Sequence, residues 1–222
     1  MMLDYTFHWR SAFNALPDML AGAWVTLQTA VLAMVLGMLL AFLLTAMRGM
    51  KNPLLRGFAE GWVSIARNTP SLFQIYILYF GLGSFNIQVS SWAALVFGIT
   101  FNNAGYLAEI FRGGLKAIPH TQVRAARSLG MSAFQAYRLI VVPQLLRVVF
   151  HPLSNQMVWS VLMTSAGVVV GLNNDLTGVT QELNVRTFRT FEFFAMAAAL
   201  YYLIAKAIVI GARIVGWRLF RY

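Results

Sequence analysis

The residues of this chain best suited to do chemistry are polar side chains inside long apolar segments. They are amides and hydroxyls, which donate and accept hydrogen bonds: Asn102, Asn103, Asn155, Gln156, Thr164 and Ser165. A zwitterionic solute needs such groups, because its ammonium and carboxylate cannot cross hydrocarbon unless something replaces their water. Hydrogen-bonded packing between neighbouring helices accounts for the same residues equally well. The pattern therefore predicts either a polar path for a solute or the interior of a helix bundle.

The sequence shows no catalytic or metal-binding pattern. His8, His120 and His151 lie far apart and without metal-ligand spacing, and the chain has no cysteine. A phosphate-binding loop of the form G-x-x-x-x-G-K-[ST] is also missing. We therefore do not expect the chain to bind and hydrolyse ATP, and a membrane enzyme is the least favoured class.

Composition indicates that the bilayer is the solvent of this chain. Apolar residues make up 59% and charged residues 11% of its 222 residues, which is unlike a soluble domain of this size. A transmembrane helix needs about 20 apolar residues. We predict one all-α integral membrane domain, residues 1–222, because no repeat or linker divides it. Its five predicted spans cover residues 21–47, 57–80, 91–111, 146–172 and 193–217.

Basic residues predict the orientation of the spans, because Lys and Arg accumulate in loops that stay in the cytoplasm. Cations follow the first, third and fifth predicted spans, whereas the first residues, the turn at 81–90 and the loop at 173–192 hold few cations and most of the acids. The N-terminus is therefore expected outside and the C-terminus inside. This asymmetry also explains the net charge of +10, so a nucleic-acid partner is not needed.

Residues within the spans predict helix packing, an ion pair and a helix break. Small and polar residues recur at helical spacing in the third span: Gly98, Asn102, Gly105, Glu109 and Gly113. Close helix packing is the favoured interpretation for the glycines, and Arg112, three residues after Glu109, predicts an ion pair. In the second span, Pro70 is expected to bend or end the helix.

The segment at about 119–143 is the most regular part of the predicted cytoplasmic face. Pro119 suits a first helical turn, and Gly130 supplies a left-handed stop, so a helix is expected to end at Leu129. Ser132 and Gln135 then have the spacing of a capping box, which begins a second helix. Adjacent alanines predict a low-relief face that can enter a groove on another protein. The alternative is an ordinary basic loop.

The spacing of this segment resembles the EAA loop of ABC-importer permeases. The residues that carry the resemblance are Ala125, Ala126, Gly130, Ile140 and Pro143. Four further segments are similar to the polar amino-acid branch of that family, represented by the histidine, glutamine and arginine permeases: Arg67-Asn68-Thr69-Pro70, residues 103–114, Asn155-Gln156 and residues 186–192. They occur in the family's order from about Gly22 onward.

The resemblance implies a fold, a location and a set of partners. The fold is that of a type I ABC-importer permease, in a multi-pass protein of the bacterial inner membrane. The partners are a dimer of ATPase subunits that bind ATP and Mg, a second permease subunit, a periplasmic solute-binding protein and a polar amino acid or an opine. The helix at 119–129 would be the coupling helix, which docks into a cleft of the ATPase. ATP-driven motion would pass through Gly130 and residues 140–143 into the fourth span.

Two departures from the family pattern bear on function. Arg124 stands where the family usually has the Glu of Glu-Ala-Ala, which reverses the charge presented to the ATPase. Leu162 and Met163 precede Thr164 where many relatives carry Lys followed by Asp or Ser, so a polar contact to the solute is expected to be missing. Both departures fit an asymmetric pair in which a sister permease supplies more of the contacts, and both also fit ordinary drift.

Two alternative functions remain open from the sequence. A secondary transporter driven by an ion gradient is disfavoured, because such folds usually show internal repeats and acids at the membrane midplane. A scaffold subunit that carries no solute itself is compatible with the two departures at Arg124 and Met163.

Overall fold

The computed structural model describes residues 5–220, which form helices and connecting turns without a strand. The ten α-helices are α1 (Trp9–Asn14), α2 (Leu16–Arg48), α3 (Pro53–Asn68), α4 (Ser71–Tyr76), α5 (Ser91–Lys116), α6 (His120–Ser128), α7 (Ala133–Ala136), α8 (Val142–Met163), α9 (Leu176–Thr187) and α10 (Thr190–Leu219). A π-helical turn at Ile77–Gly81 prolongs α4, another at Tyr137–Val141 joins α7 to α8, and a 3₁₀ helix at Thr164–Val170 prolongs α8. The predicted all-α fold is confirmed.

Within residues 5–220, three continuous helical stretches are long and apolar enough to cross a membrane: Leu16–Arg48, Ala133–Val170 and Thr190–Leu219. They contain the predicted first and fifth spans and all but the last two residues of the predicted fourth span. The predicted third span lies within α5, which has 26 residues. The predicted second span does not form one helix, since it is divided between α3 and α4. The count of five spans therefore stays a prediction.

The division between α3 and α4 is caused by Pro70, as predicted. Thr69 adopts an extended conformation (φ −117°, ψ 143°), and α4 begins directly after the proline. Proline lacks an N–H, so carbonyls near it lose their helical partners. The Gln74 side-chain amide donates to the carbonyls of Ala66 (3.0 Å) and Thr69 (3.2 Å). Asn102 of α5 also donates to the Ala66 carbonyl, at 3.1 Å. The break is thus held by hydrogen bonds from α4 and α5.

The long helix α5 lies at the centre of the bundle, and glycines let its neighbours approach closely. A Cβ built on Gly105 would lie 2.5 Å from the Ala66 Cβ of α3, and one on Gly98 would lie 2.6 Å from the Ile75 side chain of α4. On α2, a Cβ at Gly37 would lie 2.6 Å from the Asn103 Cβ. Van der Waals packing of this kind drives helix association in lipid, where burial of apolar surface gives little.

One end of the bundle is closed by α1, α2, α9 and α10. Met19, Leu176 and Phe193 are fully or almost fully buried there and form one apolar cluster. Glu192, in the first turn of α10, is also buried. Its carboxylate accepts a hydrogen bond from the His8 backbone N–H at 2.8 Å and one from the Tyr5 hydroxyl. These contacts attach the segment before α1 to the start of α10.

Substitution of Gly105 by leucine tests the close packing of α5. We expect Gly105→Leu to destabilise the protein by about 1–3 kcal/mol, because the new side chain must displace α3. A change of that size lowers Tm by roughly 2–10 °C in a chain of this length. Gly113→Leu on the same helix is the matched control, because nothing lies within 4 Å of a Cβ built there. Equal Tm values for the two variants in detergent would contradict this packing.

Candidate functional site

The predicted coupling segment folds as two helices that meet at a glycine corner. The first, α6, is capped by Leu129, and Gly130 follows with φ +85°. The Gly130 N–H donates to the Arg127 carbonyl (3.1 Å), and the Met131 N–H donates to the Ala126 carbonyl (3.2 Å). This pair of hydrogen bonds is the Schellman motif, in which glycine adopts the left-handed conformation at low cost. The predicted stop at Gly130 is confirmed.

The second helix begins with the predicted capping box. The Gln135 N–H donates to the Ser132 hydroxyl (3.1 Å), and the Gln135 side chain accepts from the Ser132 N–H (2.7 Å). The helix then passes through the π turn into α8 without a break. The side-chain amides of Gln144 and Gln122 are joined at 2.6 Å, which holds α6 against the start of α8. The corner and α8 are therefore mechanically continuous.

Only part of the predicted coupling surface is open to a partner. Arg124, Ala125 and Gly130 are exposed, whereas Ala126 is 2% exposed and lies on the buried side of α6. Ile140 is half-buried and Pro143 is exposed, both near the start of α8. The low-relief face thus presents Ala125 but not its neighbour.

Large apolar side chains also project from the corner, and they were not identified from the sequence. Leu129 is 83% exposed and Phe134 is 72% exposed. Tyr137 and Leu139 in the π turn are exposed as well. The sequence did offer a signal for them, because large apolar residues occur in a segment whose basic composition predicts a polar loop. Exposed apolar side chains close together in sequence indicate a surface that contacts a protein or the membrane.

The buried amides of α5 bind neighbouring helices. Asn103 is fully buried; it donates to the Ser160 hydroxyl at 2.9 Å and accepts from the Gln156 amide at 2.8 Å. Asn102 is 3% exposed and donates to the Gln74 carbonyl oxygen at 3.2 Å in addition to Ala66. Three of the predicted path residues, Asn102, Asn103 and Gln156, therefore join α5 to α4 and α8.

The remaining candidate path residues divide between two sides of α8. Met163 and Thr164 are buried, and the Thr164 hydroxyl donates to the Val161 carbonyl at 2.7 Å. Asn155 is exposed, and Ser165 is half-exposed in a groove of about 450 Å³ between α8 and α10. The structure thus does not bring all seven candidates together.

The open side of α8 is a continuous strip along the helix. Asn155, Trp159, Leu162 and Ser165 follow one another at intervals of three or four residues, which is helical spacing. Trp159 is 52% exposed and Leu162 is 41% exposed. We call these four residues the α8 strip.

Glu109 forms a larger ion-pair cluster than the sequence predicted. The expected pair with Arg112 is confirmed at 2.5 Å. Arg48 of α2 also lies 2.5 Å from the Glu109 carboxylate, and Arg67 of α3 lies 3.8 Å away. One carboxylate therefore links the ends of α2, α3 and α5. These ion pairs hold α2, α3 and α5 together. The cluster lies close to the predicted cytoplasmic boundary, near the segment that forms the corner.

Asp175 is a buried carboxyl at the opposite end that the sequence analysis missed. It caps α9, because one carboxylate oxygen accepts from the Gly178 N–H at 2.9 Å. The Leu176 N–H next to it donates to the Thr26 hydroxyl of α2 at 3.1 Å. The second oxygen, Oδ2, is buried and has no partner in the described part of the chain. Burial raises the pKa of Asp175 above its ordinary value of 3.8.

Replacement of Asp175 by asparagine is expected to change how stability depends on pH. A raised pKa means that the folded protein prefers the neutral carboxyl, so the resulting stability is full below about pH 4 and is lost as pH rises through the raised pKa. Asparagine keeps the acceptor for Gly178 but cannot ionise. The Tm of the unmodified protein should therefore fall, relative to that of Asp175→Asn, as pH rises above about 4.

The control for this measurement is Asp18→Asn, which removes a carboxyl that is exposed. It should leave the pH dependence of Tm close to that of the unmodified protein. Parallel Tm curves for the unmodified protein and Asp175→Asn would mean that the buried carboxyl is not the titrating group.

Comparison with known proteins identifies relatives along most of the chain. The family model described as "Binding-protein-dependent transport system inner membrane component" matches residues 33–220. The octopine transport system permease protein OccM of Rhizobium meliloti is 36% identical over 211 residues, covering 90% of this chain and 84% of that protein. The histidine/lysine/arginine/ornithine transport system permease protein HisM of Salmonella typhimurium is 29% identical over 212 residues, covering 91% and 90%.

Solved structures have the same architecture. A chain of an amino acid ABC transporter crystallised with histidines has a TM-score of 0.90 and 27% identity, covering 96% of this chain and 100% of that chain. A chain of the inward-facing MetNI methionine ABC transporter has a TM-score of 0.75 at 17% identity, covering 93% and 98%, and is similar in fold alone. The expected permease fold is thus confirmed, while the predicted orientation is not tested by these matches. With a family match over residues 33–220 and a relative at 36% identity, the chain belongs to the binding-protein-dependent transport system inner membrane components.

Proposed function

We propose that this chain is the permease subunit that carries a polar amino acid, or a related compound such as an opine, through an ATP-driven importer of the bacterial inner membrane. The observation that carries the proposal is the exposed corner at α6 and α7, which runs without interruption into α8. A transporter that is driven by a soluble ATPase needs a rigid connection that transmits the motion of the ATPase to the transmembrane helices. The named solutes of the relatives, octopine and the basic amino acids with histidine, support the choice of solute class.

The corner has the chemistry of a docking surface for a soluble ATPase. Leu129 and Phe134 are proposed as apolar anchors, and the small, exposed side chain of Ala125 in α6 leaves room for close approach. Exposed apolar side chains that enter pockets on a partner supply most of the affinity of an interface. ATP and Mg are proposed to bind to the ATPase subunits, since this chain carries no phosphate-binding loop.

Closure of the ATPase dimer is proposed to move α8 as a lever. The Schellman corner and the capping box fix the angle between α6 and α7, and the Gln122–Gln144 hydrogen bond ties α6 to α8. A rotation of α6 would therefore be passed to α8 rather than absorbed by a flexible loop. Alternating access by rigid motions of packed elements is an established mode of domain movement.

The α8 strip is proposed to line the solute path, opposite a second permease subunit. Polar groups at membrane depth face protein or water rather than lipid, and Asn155 is exposed among the described residues. The buried residues Asn103 and Gln156 instead hold α8 against α5. With Leu162 on the strip where many relatives carry Lys, a sister permease is proposed to supply part of the polar contacts.

A periplasmic solute-binding protein is proposed to deliver the solute at the end of the bundle formed by α9. This assignment requires the N-terminus outside and the C-terminus inside. Arg124, Arg127 and Arg138 belong to the corner and the π turn after it, whereas α9 carries a single arginine, Arg186. Such a distribution of charge favours a cytoplasmic corner.

Substitution of Leu129 by aspartate tests the docking role of the corner. We expect Leu129→Asp to lower the recovery of the ATPase with the tagged chain by about tenfold or more, since an interface anchor becomes a desolvated charge. ATP-dependent uptake of labelled histidine or octopine into vesicles that contain the complex should fall in parallel. Recovery is measured by quantitative mass spectrometry after purification in mild detergent.

The matched control is Phe188→Asp, because Phe188 is also 83% exposed but lies at the end of α9. This variant should retain the ATPase. Equal loss of the ATPase in both variants would show a general effect of surface charge, and undiminished recovery with Leu129→Asp would contradict docking at the corner.

A further inference from the structure

A basic surface lies between the start of α8 and the end of α10, before the α8 strip along the helix. It is a groove of about 370 Å³. The side chains that line it are cationic or aromatic: Arg147, Phe150, His151, Arg213, Trp217 and Phe220. The first three belong to α8, and Arg213 and Trp217 belong to α10. By the predicted orientation, the groove lies at the cytoplasmic edge of the bilayer.

The aromatic wall of the groove is built into the helix contact. Phe150 packs on Gly216, where a Cβ would lie 3.0 Å from its ring. Its ring also meets that of Phe220 edge-on, with centroids 5.4 Å apart. The groove is therefore a fixed feature of the contact between α8 and α10, because a larger residue at position 216 would push the two helices apart.

The cations of the groove lack an anionic partner within the described residues. Neither Arg147 nor Arg213 takes part in an ion pair there. On the same side, Glu109 is engaged by three arginines and Glu60 by Arg56. The other acids of residues 5–220 are remote: Glu192, on α10 itself, is 21 residues before Arg213, which is roughly 31 Å along a helix. Two guanidinium groups thus face the same groove without a counter-charge.

We propose that this groove binds the phosphate headgroup of an anionic phospholipid from the cytoplasmic leaflet. Guanidinium groups bind phosphate oxygens in pairs and are more easily desolvated than ammonium groups. Trp217 has the amphipathic ring that is favoured at the headgroup level, and the Phe150 and Phe220 rings offer an apolar wall to the first part of an acyl chain. Basic pockets between transmembrane helices on the cytoplasmic side have this character. The inference depends on the predicted orientation but not on the solute or on the corner.

The test is a titration of the purified permease complex with single phospholipids, with native mass spectrometry to count bound lipids. Cardiolipin and phosphatidylglycerol are the anionic probes, and phosphatidylcholine is the neutral probe. Arg147→Gln combined with Arg213→Gln should weaken the tightest anionic site by about thirtyfold, given ~1 kcal/mol for each basic residue near an anionic membrane surface. The binding of phosphatidylcholine should not change.

The matched control is Lys51→Gln combined with Lys116→Gln, which removes the same charge from exposed positions outside the groove. It should keep the tight anionic site. Arg147→Lys combined with Arg213→Lys should keep most of the binding, and it preserves the test if the glutamine variant does not fold. Equal losses in the groove and control variants would overturn the proposal, as would equal affinity for phosphatidylcholine. Displacement of the lipid by excess inorganic phosphate would overturn it too, because the site would then bind free phosphate rather than a lipid.

Discussion

Two neighbouring asparagines on α5 carry the hydrogen bonds on which the packing of the bundle depends. Consecutive residues of a helix point about 100° apart, so Asn102 reaches the break between α3 and α4 while Asn103 reaches α8. Each such bond is worth only about 0.6–2 kcal/mol in a membrane, but an unpaired amide in hydrocarbon costs more. These hydrogen bonds therefore add little to the stability of the bundle, but they disfavour other helix arrangements in which the amides would be unpaired. The close approach at Gly105 brings α3 to α5, where Asn102 reaches the Ala66 carbonyl.

This constraint accounts for the division of α8 into two sides with different roles. Asn103 holds the side that bears Gln156 and Ser160, and rotation of the helix about its axis would break those bonds. The α8 strip is then left facing outward, where a second subunit can meet it. The corner is continuous with the same helix, so a force on α6 reaches the strip through one rigid element. Arg124 remains a departure from the pattern that the resemblance leads us to expect, because it places an exposed cation at the corner.

Sequence reasoning succeeded where the governing interactions are local. The stop at Gly130, the capping box at Ser132, the break at Pro70 and the ion pair between Glu109 and Arg112 each involve residues a few positions apart. It could not tell which side of a helix is buried, since neighbours from distant segments set that rotation. Ala126 is buried beside the exposed Ala125 for this reason, and Asp175 is buried because α2 covers the start of α9.

Cysteine labelling of the α8 strip tests the central claim most directly, because the chain has no cysteine of its own. Asn155→Cys and Ser165→Cys would be introduced singly into the complex in vesicles and treated with a membrane-impermeant maleimide, with Ser160→Cys as the buried reference. The account predicts that the two strip positions react, that ATP and the transported solute change their rates, and that position 160 stays unreactive. The account would be contradicted if position 160 reacted with the impermeant maleimide while positions 155 and 165 reacted only with lipid-soluble reagents.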